Sequence, residues 1–95
     1  MKKKVTKARK AILALGEKVF IRTVTHYYTG RVIRVSKDEI ELESAAWIAD
    51  TKRFADTLRL GELSEVEPYP DRVLIGRGAV VDICTWLHDL PTEQK

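Results

Sequence analysis

The sequence predicts a mainly β fold: a small five-stranded antiparallel barrel with an N-terminal helix and a short helical insertion between strands 3 and 4. Three observations predict it. From Glu17 to Glu43 the chain is rich in β-branched and aromatic residues, with a clean alternation in "EIELE" (39–43), and is broken only by short turn-forming stretches. The alternation is lost over 44–66 and returns in two short apolar runs, "RVLI" (72–75) and "AVVDIC" (79–84), joined through Gly76-Arg77-Gly78. Five short twisted strands in this order curl into a small barrel, closed or partly open. The 95 residues, 44% of them hydrophobic, make one domain over 1–95 with one small core. They do not furnish a core and a deep substrate cavity together, so an enzyme is not expected.

Each element has a local reason. Val5, Ala8, Ile12 and Leu15 recur at spacings of three and four, which predicts a basic amphipathic helix within 1–15. Gly16 ends it in the left-handed position common after helices. A helix this short is marginal alone, so its stripe is expected to rest on the mouth of the core. In "KVFIRTV" (18–24), Val19, Ile21 and Thr23 point one way and Phe20, Arg22 and Val24 the other. Gly30, at the end of "HYYTG", marks a bend or bulge. "RVIRV" resumes the strand with Val32 and Val35 inward, and Ser36-Lys37-Asp38 is turn chemistry. "EIELE" places Ile40 and Leu42 inside and Glu39, Glu41 and Glu43 on a solvated outer face. A helical insertion is expected over 45–61, one strand-end plus two or three turns of helix. Asp50 is its cap, Phe54, Ala55 and Leu58 its apolar side and Gly61 its stop, with Trp47 packed underneath. Pro68 and Pro70 mark the approach to the fourth strand. Trp86 and Leu87 pack beyond the fifth, and 90–95 is a polar tail.

Charge is unevenly spread. Residues 1–18 carry seven lysines and arginines against Glu17 alone, a net +6, so the remainder carries −3 of the overall +3. A concentrated cationic stretch attracts phosphate backbones or an acidic partner. Cys84 is the single cysteine, which excludes an intrachain disulfide and fits a reducing, cytoplasmic setting. It reads as a strand thiol with no reactive role. No apolar run approaches the ~20 residues of a membrane span, and no membrane association is expected. His26 and His88 are far apart in the chain with no zinc-type spacing, and Ser36 and Ser64 have no triad partners. Neither a metal nor any other cofactor is expected.

Two motifs carry a family resemblance. Gly16, Val19, Ile21, Tyr28, Gly30 and Val32 match one pattern, and Arg77-Gly78-Ala79-Val80-Val81, between the last two strands, matches a second. Together, over roughly residues 5–86, they resemble the Sm-like family, the ring-forming proteins that include the LSm proteins and Hfq. The texture of "AAWIADT" (45–51) is similar to Sm-like proteins of phage and bacterial genomes. The resemblance implies an Sm-like (SH3-like) barrel, a cyclic homo-oligomer of about five to seven copies, and binding of single-stranded RNA or DNA. The family's uridine-binding loop carries an Asp and an Asn. The corresponding loop here is Ser36-Lys37-Asp38-Glu39, and no asparagine occurs in the chain.

These implications assign roles. Arg77, an obligate cation with a planar fork of donors, is expected to meet phosphates or bases beside Gly78. Gly76 and Gly78 are expected to take positive φ. Lys37 and Asp38, in the loop that corresponds to the uridine-binding loop, would contact nucleic acid, with Asp38 standing in for the family's acid; Tyr27 would stack on a base, and Lys2, Lys3, Lys4, Lys7 and Lys10 would supply salt-sensitive attraction. The strands "RVLI" and "AVVDIC" would be open edges, and an exposed apolar edge seeks a partner. Pairing one edge with the other on the next copy gives a head-to-tail contact, which closes into a ring when the rotation allows. The −3 charge of the barrel supports an alternative: a ring serving as a structural or protein-interaction module without nucleic acid.

Overall fold

The computed structural model describes residues 11–95. Six antiparallel strands and one helix follow in the order β1 (Lys18–Thr23), β2 (Tyr27–Val35), β3 (Glu39–Thr51), α1 (Phe54–Leu60), β4 (Leu63–Pro68), β5 (Val73–Gly76) and β6 (Val80–Thr85). A single 3₁₀ turn, Arg77–Ala79, joins β5 to β6. The sheet order is β4-β3-β2-β1-β6, with β5 also pairing β3.

The meander β1–β2–β3 is the one the alternation predicts, with Ile21 opposite Tyr28 and Val32 opposite Leu42. Both faces of the sheet are covered, so alternation sorts side chains into two cores. Val19, Ile21, Val32, Ile40, Leu42, Ala45 and Ile75 form one cluster; Phe20, Ala46, Ile48, Leu63, Val66 and Trp86 form the other. Each large aliphatic side chain fully buried in this way contributes about 1.5–3 kcal/mol.

β3 is long because it serves two partners. Its first half pairs β5, from Glu39 opposite Gly76 to Leu42 opposite Val73, and its second half pairs β4, from Ala46 opposite Pro68 to Thr51 opposite Leu63. The two halves meet at a β-bulge. Thr29 lies opposite Ala46 and Arg31 opposite Glu43, so Ser44 and Ala45 together oppose Gly30. Ser44 takes φ 49°, which turns the strand and resets which face each side chain meets. The bulge expected at Gly30 is therefore present.

Several expectations are corrected. The insertion over 45–61 is helical only in α1, and residues 45–51 continue β3; Leu63–Pro68 forms a further strand, β4, so there are six strands rather than five. The helix does lie between β3 and β4. Asp50 sits in β3 and caps nothing. Arg53 is the N-cap, without a side-chain bond, and the Thr57 hydroxyl accepts the Lys52 N–H at 3.2 Å instead. Gly61 ends α1 at φ 77°, as expected. Trp47 does not pack under the helix: it is 37% exposed, on the same side of the sheet as Tyr28, its register partner. Of the expected N-terminal helix, residues 11–15 form turns, and the rest lies outside the described residues. Ile12 and Leu15 are exposed; Leu13 is the residue that packs on the first cluster. Gly16 has its positive φ, 87°, but its N–H donates to Val32 O and it leads into β1. Glu41 is not solvated: its side chain is 14% exposed beneath Arg34 at 2.9 Å and Arg72 at 3.1 Å. Residues 90–95 are not a free tail either. Leu90 packs on the second cluster, and the Lys95 backbone exchanges two hydrogen bonds with Val66, shielding the outer side of β4.

The sheet is strongly curled. The 3₁₀ turn touches the β2–β3 turn through Arg77 N–H to Asp38 O at 2.9 Å, and the β1–β2 turn through Val24 N–H to Ala79 O at 3.0 Å. Those two turns lie at opposite ends of β2, whose nine residues would span about 26 Å if straight. Three residues reach at most about 10 Å. The strands must bend to bring both ends of β2 to one short connection. The curl does not close: no pairing joins β5 to β6.

At the β6 side, Arg22 donates to both carboxylate oxygens of Asp82, with Nε to Oδ1 at 2.9 Å. This fork holds the Asp82 carboxyl below its usual range and the guanidinium above its own. A carboxylate with a depressed folded pKa adds stability that is present above its unfolded value and lost as pH falls through the folded one. Asp82→Asn is therefore expected to lower the thermal midpoint at neutral pH, and this difference shrinks as pH falls below about 4. Thermal melts of both chains over an acid series check it. Among the described residues, no helix is long and apolar enough to cross a membrane.

Candidate nucleic-acid interface

Ser36 builds the turn between β2 and β3. Its N–H donates to Glu39 O at 2.8 Å, and its hydroxyl accepts the N–H groups of Glu39 at 3.0 Å and Asp38 at 3.3 Å. The turn is thereby closed on itself and presents Lys37 and Asp38 outward, both exposed. Arg77 then binds the turn twice, by its backbone to Asp38 O and by Nη1 to Ser36 O at 2.8 Å. A guanidinium has five N–H donors. One is used here, on a neutral carbonyl, and among the described residues no carboxylate pairs with Arg77 or Lys37.

The structure thus brings Arg77, Gly78, Lys37 and Asp38 to one corner. Two cations and one acid leave it a net positive patch. Tyr27 is not part of it. Tyr27 begins β2, at the far end from the Ser36 turn, and packs on Phe20 at 5.8 Å and Phe54 at 6.4 Å. Lys2, Lys3, Lys4, Lys7 and Lys10 lie outside the described residues. Ser36 is the residue sequence reasoning missed. Turn-forming composition flagged its segment, but its carbonyl meets Arg77 from 41 positions away.

The glycines beside Arg77 differ from expectation. Gly76 is extended at φ −68° and Gly78 lies in the 3₁₀ turn; positive-φ glycines are Gly16 and Gly61. A Cβ on Gly76 or Gly78 would meet nothing within 4 Å. Neither backbone strain nor a neighbour in the described chain requires glycine at these two positions.

The corner lies between two sheet margins. β5 pairs β3 on one side and β6 pairs β1 on one side, and neither has a second strand partner. Leu74 on β5 and Val81 on β6 are 51% and 60% exposed. Burial pushes the Cys84 thiol up, which keeps it protonated and unreactive. Among the described residues, no group of three or more His, Cys, Asp or Glu could hold a metal ion. Comparison with protein-family models, with curated proteins and with solved structures returns no match.

Proposed function

We propose that the chain is a non-catalytic, Sm-like, ring-forming protein that binds single-stranded nucleic acid, mainly RNA, at the corner built by Arg77, Gly78, Lys37 and Asp38. The observation that carries this reading is Arg77 itself. Its 3₁₀ turn is tied to the Ser36 turn by two hydrogen bonds, and its guanidinium keeps most of its donors without any acid partner. Such a cation is fixed in place and ready for a phosphate or the plane of a base. Its position favours assembly as well. β5 and β6 flank it with open margins, so pairing β5 of one copy with β6 of the next sets one Arg77 at every joint of a ring of about five to seven copies. The open space at Gly76 and Gly78 leaves room there for a neighbouring backbone or a ligand. The resemblance to phage and bacterial Sm-like proteins extends the proposal to a cytoplasmic, phage-derived setting.

The test is the mass and absorbance ratio of the purified chain at low and high salt, followed by titration with a labelled single-stranded RNA. The expected result is a discrete oligomer whose RNA affinity falls as salt rises. Arg77→Ala is expected to lower that affinity about tenfold or more, and Arg77→Lys by less, because lysine keeps the charge and loses the fork. Binding indifferent to salt and to Arg77→Ala overturns the reading. The −3 charge of residues 19–95 favours the second reading, a ring acting as a structural or protein-interaction module. That reading expects no carried-over nucleic acid and an oligomer unchanged by Arg77→Ala.

A further inference from the structure

The end of β3 runs past the start of β2. Tyr27 opposite Ile48 is the last β2–β3 pair, so Ala49, Asp50 and Thr51 have β4 on one side and no strand on the other. The β1–β2 turn faces this gap across a cleft of about 500 Å³. The volume lies within the roughly 300–1,000 Å³ of small-ligand sites. None of the residues that form the Arg77 corner lines it.

The cleft holds groups whose bonding capacity is unused. Trp47 is part-exposed, and the His26 ring lies 5.2 Å from it at an interplanar angle of 73°. His26 Nδ1 is engaged with the Thr25 hydroxyl at 2.7 Å, and among the described residues Nε2 and the Trp47 indole N–H have no hydrogen-bond partner. The Asp50 carboxylate is exposed and has no cation within ion-pair distance among the described residues. Among the described residues, Arg22 is the one cation lining the cleft, and it is already committed. It grips Asp82 with two bonds and lies 5.2 Å over the Phe54 ring. Among the described residues, the charge left unbalanced in the cleft is that of Asp50. Val24, exposed, gives it an apolar rim.

We propose that this cleft, with Trp47 and His26 beside the unpaired carboxylate of Asp50, binds an organic cation: a guanidinium or alkylated ammonium group on a short apolar stem. The carboxylate supplies the opposite charge. The indole offers the negative face of its π system, which attracts a weakly hydrated cation more than a compact, strongly hydrated one. Val24 covers the stem. A hard metal ion needs several oxygen ligands where one carboxylate is present, and an anion would meet Asp50.

The full chain is titrated with choline and with arginine amide, following the two indole N–H resonances. Trp86 serves as the reference, because its indole donates to Asp89 O and it is fully buried. The expected result is a saturable shift at Trp47 and not at Trp86, with a millimolar Kd. Asp50→Asn is expected to weaken it about fivefold or more, and the neutral isostere of choline, 3,3-dimethylbutan-1-ol, to bind correspondingly worse. Tighter binding of arginine amide assigns the site to a peptide side chain; tighter binding of choline assigns it to a free quaternary amine. Absence of a Trp47 shift up to about 100 mM cation overturns the proposal. So does equal binding of the neutral isostere, or a Kd unmoved by Asp50→Asn. The side chain of Asp50 is exposed and has no partner among the described residues, so this variant keeps the fold, which an unchanged thermal midpoint verifies.

Discussion

Gly30→Val is expected to cost the chain about 3–4 kcal/mol, a large fraction of the total stability of a domain of this size. Gly30 faces the bulge at Ser44 and Ala45, and a Cβ there would stand 2.9 Å from both Cβ and Cδ1 of Leu42 and 3.3 Å from Cβ of Ala45. A Cδ1 atom can swing away; a Cβ is fixed to its backbone. Leu42 and Ala45 are buried in the first cluster, so relief would have to come from spreading β2 from β3. That spreading would break the bend on which the curl depends. Gly30→Ala carries the same first contact with less bulk and is expected to cost about 1–3 kcal/mol. Urea unfolding followed by tryptophan fluorescence reads both, with Gly76→Ala as the control, since a Cβ there meets open space. Equal midpoints for Gly30→Val and the parent chain would show that the bulge is not the structural requirement argued here.

The part of the fold legible in the sequence is the part where one residue faces one partner. β1, β2 and the first half of β3 keep a period of two, so Val19, Ile21, Ile40 and Leu42 announce their face. The second half of β3 was hidden by Ser44. Its positive φ and the extra residue at the bulge shift the parity, so Ala45 enters one cluster while Ala46 and Ile48 enter the other. β4 was hidden for the same kind of reason. Its buried residues, Leu63 and Val66, are three apart, because the pairing with β3 slips on both sides of Asp50. Spacings of three suggested helix at the N-terminus too, yet Leu13 turned inward rather than Ile12 or Leu15. Of the candidate interface, the motif Arg77-Gly78 was legible and its setting was not. The acceptor for Arg77 is a carbonyl, which every residue carries, so no side chain in the sequence marks Ser36 as its partner. Glu41 was placed on a solvated face because its neighbours Glu39 and Glu43 share its parity. What distinguishes it is Arg72, brought over it by the bend between β4 and β5.

Replacing Leu74 and Val81 together by lysine is expected to reduce the proposed ring to single chains while leaving the thermal midpoint of the chain nearly unchanged. Both side chains are more than half exposed and belong to neither buried cluster, so little folding energy rests on them. Both lie on margins with one strand partner each, whereas the comparable margin of β4 is occupied by the Lys95 backbone. A margin left apolar and bare beside one that is covered fits a surface reserved for another copy. Lysine is a common device for blocking such pairing, since its charge would have to be desolvated against the incoming strand. Each joint would lose two apolar side chains, about 1.5–3 kcal/mol apiece when fully buried, and gain two like charges. Light scattering at matched concentrations reads the mass. The same variant separates assembly from ligand contact, because Arg77, Lys37 and Asp38 remain in place on every chain. If RNA is held by several Arg77 groups gathered around one axis, affinity falls with the mass although no interface residue has changed. If the mass is unaltered, the β5 and β6 margins are not the joints of the assembly.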